Sequence, residues 1–67
     1  MNELVINKTK NVSDEIAVVY ALAKEHNLSI GPIHDELFIE GRKEDLEAFK
    51  KQILKLGIWP DKEFRYI

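Results

Sequence analysis

The chain has 67 residues and no cysteine, and its 10 basic and 12 acidic side chains give a net charge of −2 at pH 7. This length predicts one domain over residues 1–67, and the missing thiols exclude disulfides, thiolate zinc sites and cysteine nucleophiles. The charge balance does not favour nucleic acid or an anionic membrane surface as a partner.

The first predicted elements are a strand and a helix. A short apolar run predicts a strand over residues 4–7. A helix is predicted over residues 14–26, where Ser13 offers an N-cap and Asn27 a left-handed stop. Apolar residues at helical spacing form its inward stripe: Ile16, Val19, Tyr20 and Ala23.

A hairpin follows the first helix. Residues 28–33 predict a second strand, and Pro32 assigns it to a sheet edge because proline cannot donate a ladder hydrogen bond. Residues 34–35 form a tight turn into a third strand over residues 36–40.

The second half ends with a helix and a strand. The helix is predicted over residues 43–56, with Gly57 as its stop. A loop at 58–61 leads into a closing strand over residues 63–67. The predicted inward stripe of this helix is Leu46, Phe49, Ile53 and Leu56.

The two halves of the chain match at an offset of 33 residues, because residues 3–7 (ELVIN) align with residues 36–40 (ELFIE). The element order is therefore βαββαβ. Right-handed crossovers turn this order into an α+β ferredoxin-like plait, a four-stranded antiparallel sheet with two helices on one face. The first and third strands are expected in the centre of the sheet.

Strand alternation predicts which side chains the helices leave uncovered. Val5 and Phe38 are expected side by side on the open face of the sheet. Two registers are possible for the last strand, which adds either Phe64 and Tyr66 or Arg65 and Ile67 to that face. The side chains expected under the helices are Leu4, Ile6, Leu37 and Ile39.

An aromatic side chain on this face is where RNA-recognition motifs stack a base. The outward neighbours Glu3, Glu36 and Glu40 predict an acidic rim that repels phosphates, so RNA ranks behind protein as a partner. Alternatively, Phe38 is an ordinary, partly covered sheet residue.

Two further features suggest a protein contact. Val18 and Leu22 form a second apolar pair on the flank of the first helix, which is typical of a partner or self-association surface. Trp59 is either an interface residue or the cap of the helix–sheet core.

The sequence shows no pattern of catalytic or metal-binding residues. His26 is interpreted as a cation at a helix end and His34 as a solvated turn residue. The carboxylate pairs at 14–15 and 44–45 lie at helix starts, where acids are expected. Phosphate binding near Lys8 and Lys10 is disfavoured by the acids at 14–15 and by the absence of glycine from the loop. We therefore expect no enzyme and no cofactor.

Residues 14–33 read DEIAVVYALAKEHNLSIGPI, an apolar helix leading into a strand, and residues 37–41 (LFIEG) precede a second apolar helix. This pattern resembles ACT-type regulatory domains. The resemblance implies the same plait, a dimer and a small ligand, often an amino acid, held by a glycine-containing loop after the first strand. The corresponding loop here, residues 7–12, contains no glycine. The cysteines of heavy-metal-associated domains and the arginine-bearing glycine loop of acylphosphatases are also missing.

The prediction is a small non-enzymatic regulator, subunit or inhibitor that binds a protein or self-associates as a homodimer, with amino-acid sensing as the alternative. No apolar run approaches the ~20 residues of a membrane span, and the start lacks a signal-peptide pattern, so a cytoplasmic location is expected. The predicted contact residues are Val5, Val18, Leu22, Phe38, Trp59 and Tyr66.

Overall fold

The computed structural model describes residues 2–7, 13–57 and 59–67. These residues form four strands, two helices and one 3₁₀ turn at Asp61–Glu63. The helices and strands are β1 (Asn2–Asn7), α1 (Ser13–Glu25), β2 (Ser29–Ile33), β3 (Glu36–Gly41), α2 (Lys43–Leu56) and β4 (Phe64–Tyr66).

The strands of the described residues form one antiparallel sheet in the order β2-β3-β1-β4. This order confirms the predicted ferredoxin-like plait, with β1 and β3 in the centre. Pro32 pairs with Leu37 on the edge strand β2, as expected for a residue without an N–H to donate.

One hydrophobic core lies between the helices and the sheet. Leu4 and Ile6 on β1 and the matching pair Leu37 and Ile39 on β3 are buried against both helices, as predicted. The helices contribute Val19, Ala23, Leu46, Phe49 and Ile53, all of them fully buried. These side chains share one cluster, which places α1 and α2 on the same face of the sheet.

The prediction that Leu56 belongs to the buried stripe of α2 is wrong, because Leu56 is 56% exposed. Leu56 is the last residue of the helix and lies at the edge of the stripe. There it borders a depression between the helices, together with Leu22 and Gln52, instead of facing the sheet.

Residues with a positive φ follow both helices and form part of the hairpin turn. Asn27 after α1 has a φ of 58° and Gly57 after α2 has a φ of 74°, which confirms both predicted helix stops. In the hairpin turn, His34 has a φ of 55° at the position that glycine prefers in such turns. The predicted cap at Ser13 lies outside the described side chains, as do the loop residues 8–12.

Gly41 at the end of β3 allows Leu28 to enter the core. A Cβ on Gly41 would press against the Cδ2 of Leu28 and lie 3.6 Å from its Cγ. Because Leu28 is buried, it cannot move aside freely. We expect Gly41→Ala to lower the free energy of unfolding by about 1–3 kcal/mol, measured by urea denaturation.

The matched control is Gly31→Ala on β2, since a Cβ on Gly31 would meet no atom within 4 Å. This substitution is expected to be neutral or slightly stabilising because alanine loses less backbone entropy on folding. Equal losses of stability in the two variants would contradict the packing role of Gly41.

Candidate functional site

The face of the sheet opposite the helices is called the open sheet face. Its central row crosses all four described strands, with Gly31, Phe38, Val5 and Arg65 as successive neighbours. The remaining residues of this face, from the alternation along each strand, are Ser29, Ile33, Glu36, Glu40, Glu3, Asn7 and Ile67.

Val5 lies beside Phe38 on the open sheet face, as predicted, but only 1% of its surface is exposed. The expectation that Val5 is available to a partner is therefore corrected. It has a side chain on each flank, Phe38 on β3 and Arg65 on β4. The Arg65 guanidinium reaches across β1 to the Glu36 carboxylate, with 3.2 Å between Nη2 and Oε2. Val5 is thus a buried residue on the open sheet face.

Phe38 is half-buried and has unoccupied space on one side. Its neighbour on β2 is Gly31, and a Cβ built on Gly31 would meet no atom within 4 Å. The Phe38 ring therefore does not cover the glycine. Ile33, two residues along β2, is exposed on the same face. Together these residues define the Phe38 notch, the open space over Gly31 beside Phe38 and Ile33.

The pairing of β4 selects one of the two predicted registers. Val5 pairs with Arg65, so Arg65 and Ile67 belong to the open sheet face. Phe64 packs against the core, and Tyr66 lies on the helix side at 45% exposure. The Tyr66 ring is beneath the Lys50 amine, 5.3 Å from the ring centroid. Tyr66 is therefore not part of the open sheet face.

The acidic rim is present as predicted. Glu3 and Glu40 are directly opposite each other on the two central strands. Glu36 is paired with Arg65, but among the described residues no ion pair joins Glu3 or Glu40 to a cation. Residues directly opposite on antiparallel strands have Cβ atoms about 4.5–5.5 Å apart, so these like charges are close neighbours.

The flank of α1 forms a smaller apolar surface. Val18 is exposed, whereas Leu22 is half-buried and packs against the core. Leu22 also borders a depression of about 200 Å³ together with Gln52, Lys55 and Leu56. The two residues of the predicted flank pair thus differ in exposure, because the neighbouring helix α2 covers part of Leu22.

Trp59 is 6% exposed and belongs to the core cluster. This burial favours the prediction that its indole caps the helix–sheet core. A side chain covered within the domain has little surface to offer a partner, so the contact role of Trp59 stays a prediction.

A polar cluster joins α2 to the end of the chain. The Lys50 amine lies 2.9 Å from Asp61 Oδ1 and 5.5 Å from the centroid of the Phe64 ring. It borders a surface depression of about 270 Å³. This volume is below the ~300 Å³ at which small-molecule pockets typically begin, and Lys50 at its border is already paired with Asp61. We assign the cluster to holding β4 against α2.

The two histidines lie in different parts of the fold, His26 after the end of α1 and His34 in the hairpin turn. His26 Nε2 is 2.9 Å from the Gln52 side-chain oxygen and its ring meets the edge of Phe49, which joins α1 to α2. His34 is exposed in the hairpin turn. Across residues 2–7, 15–57 and 59–67, no three His, Asp or Glu side chains gather as metal ligands do.

Sequence reasoning missed two features of the open sheet face. The notch beside Phe38 depends on the pairing of Gly31 with Phe38, 7 positions apart in the chain across the hairpin. The Arg65–Glu36 bridge joins residues 29 positions apart. The only signal for the notch is a glycine within a strand, which often marks close approach of another group.

The loop on which the ACT resemblance depends, residues 7–12, lies outside the described residues beyond Asn7. In the part of the chain that the structure describes, no helix has the length and apolar character that a bilayer span requires. A comparison of the chain with protein-family models, with curated proteins and with solved structures found no match.

Proposed function

We propose that this chain is a small non-enzymatic protein-binding module of the cytoplasm and that its contact surface is the open sheet face. The observation that carries the proposal is the Phe38 notch, where a half-buried aromatic ring stands beside unoccupied space on the uncovered side of the sheet. A cysteine-free composition supports the cytoplasmic part, since cytosolic proteins rarely depend on disulfides.

Apolar side chains on the open sheet face support a non-covalent contact. Ile33 and Ile67 are both exposed on this face, at opposite edges of the sheet. Phe38 lies between them on a central strand, next to the buried Val5. An aromatic centre with a polar border is the arrangement found in many protein interfaces.

The open sheet face is a better contact surface than the flank of α1. Phe38 is an aromatic on a central strand that is paired on both sides, whereas Val18 offers one small exposed side chain. Leu22, the other flank residue, already contributes to the core. Substitutions at Leu22 therefore affect folding as well as any contact made by the flank.

The proposal predicts that Phe38→Ala weakens partner binding by about 30-fold or more, the usual loss at an aromatic hot spot. The full chain is used to capture proteins from its host, and a captured protein is then purified. Its affinity for the wild type and for each variant is measured by titration calorimetry. Thermal melts of the free variants separate a loss of contact from a loss of folding.

Val18→Ala is the matched control, because it removes an exposed apolar side chain from the helix side. It is expected to bind the purified partner within about twofold of the wild type. If Phe38→Ala folds and binds normally while Val18→Ala does not, the contact surface is the α1 flank and the proposal is wrong.

A further inference from the structure

The open sheet face places two acidic side chains, Glu3 and Glu40, at neighbouring positions. They face each other across the central strand pair, and like charges at directly opposed positions destabilise a sheet. Glu36, at the other end of the open sheet face, shows the alternative, because its carboxylate is paired with Arg65. Departures from local rules of this kind are typical of sites kept for function.

Glu40 lies beside Phe38, at the end of the notch away from Ile33, and Glu3 lies opposite Glu40 on β1. Glu40 is two residues after Phe38 on β3, so both side chains point to the open sheet face about 7 Å apart along the strand. The face thus presents the Phe38 notch next to a pair of carboxylates. A partner side chain that fills the notch brings its own neighbours over Glu3 and Glu40.

We infer that the partner of the open sheet face is a cationic amphipathic protein segment, with an apolar side chain in the Phe38 notch and a lysine or arginine over Glu3 and Glu40. This inference rests on the proposed function and adds the chemistry of the partner. The cation would lie beside two carboxylates that have no ion-pair partner among the described residues, so complementary charge favours the bound state.

A second copy of this chain does not fit the same face. In a two-fold symmetric contact the same patch meets itself, and Arg65, the only cation among the described residues of the open sheet face, is already paired with Glu36. RNA is opposed by charge, since its phosphates would approach Glu3 and Glu40.

The first arm of the test uses the free protein. The double variant Glu3→Gln, Glu40→Gln is expected to raise the melting temperature by roughly 2–5 °C at low salt, because it removes the opposed charges. The control is Glu25→Gln, Glu47→Gln, which changes the net charge equally at exposed helix positions. An equal or smaller rise in the Glu3/Glu40 variant would overturn the inference.

The second arm uses three synthetic amphipathic peptides with the same leucine pattern and with lysine, glutamine or glutamate at the flanking positions. Fluorescence anisotropy of labelled peptide measures their binding to the full chain. The lysine peptide is expected to bind tightest and to weaken as salt rises. The Glu3/Glu40 variant is expected to bind it about tenfold more weakly, and the Glu25/Glu47 control to match the wild type.

The outcomes separate this inference from the proposed function. If all three peptides bind alike and only Phe38→Ala weakens them, the charge preference is wrong and the open sheet face stands. If no peptide binds, the inference is wrong and the proposed function is decided by the effect of Phe38→Ala on the purified partner; if peptide binding ignores Phe38→Ala, both are wrong. A dimer in sedimentation that Phe38→Ala dissociates would identify a second copy as the occupant and overturn the inference.

Discussion

Phe49→Ala is expected to leave much of the protein unfolded at 37 °C. Phe49 is fully buried at the centre of the core, on the face of α2 that packs on the sheet. Removing a buried phenyl ring costs about 3–5 kcal/mol, because the surrounding atoms do not close the cavity. A domain of 67 residues has only about 3–10 kcal/mol to lose.

Urea denaturation followed by circular dichroism measures this loss. Phe49→Leu is the graded control, since it keeps most of the buried volume and is expected to cost clearly less than alanine. Lys51→Ala, at an exposed position of the same helix, is expected to change stability by less than about 0.5 kcal/mol. A loss below about 1 kcal/mol for Phe49→Ala would show that this helix does not pack as described.

Trp59→Ala is expected to cost about 3–5 kcal/mol of stability, although Trp59 lies outside the helices and strands. Its indole is buried in the same cluster as the two helices and the sheet. Trp59 is also the only tryptophan of the chain. Its fluorescence in the wild type is therefore expected to change at the same urea concentration as the helix signal.

The Trp59 experiment also separates the two interpretations of this residue. Trp59→Phe keeps a buried ring and is expected to retain more than half of the stability lost in the alanine variant. A Trp59→Ala variant that unfolds like the wild type, yet no longer binds a purified partner, would instead establish an interface role.

The proposed contact side chains and the core side chains lie on opposite sides of the sheet. Phe38, Glu3 and Glu40 belong to the open sheet face, whereas Phe49 and Trp59 belong to the helix side. Substitutions on the two sides are therefore expected to have different signatures. Core variants lose stability, and the glutamate variants gain it while binding more weakly.

Short-range patterns in the sequence determined the elements and their order. The alternation in residues 4–6 and 37–39 assigned four side chains to the core, because successive residues of a strand point to opposite faces. Asn27 and Gly57 marked the helix ends, because each can adopt a positive φ. The repeat of strand, helix and strand then led to the plait.

Tertiary structure alone decided which side chains remain accessible. The register of β4, a strand of three residues, moved Tyr66 to the helix side and Arg65 to the open face. Arg65 then reached Glu36 across β1, beside the covered Val5. Exposure depends on neighbours far apart in the chain, so local periodicity defines the face of a residue but not what covers it.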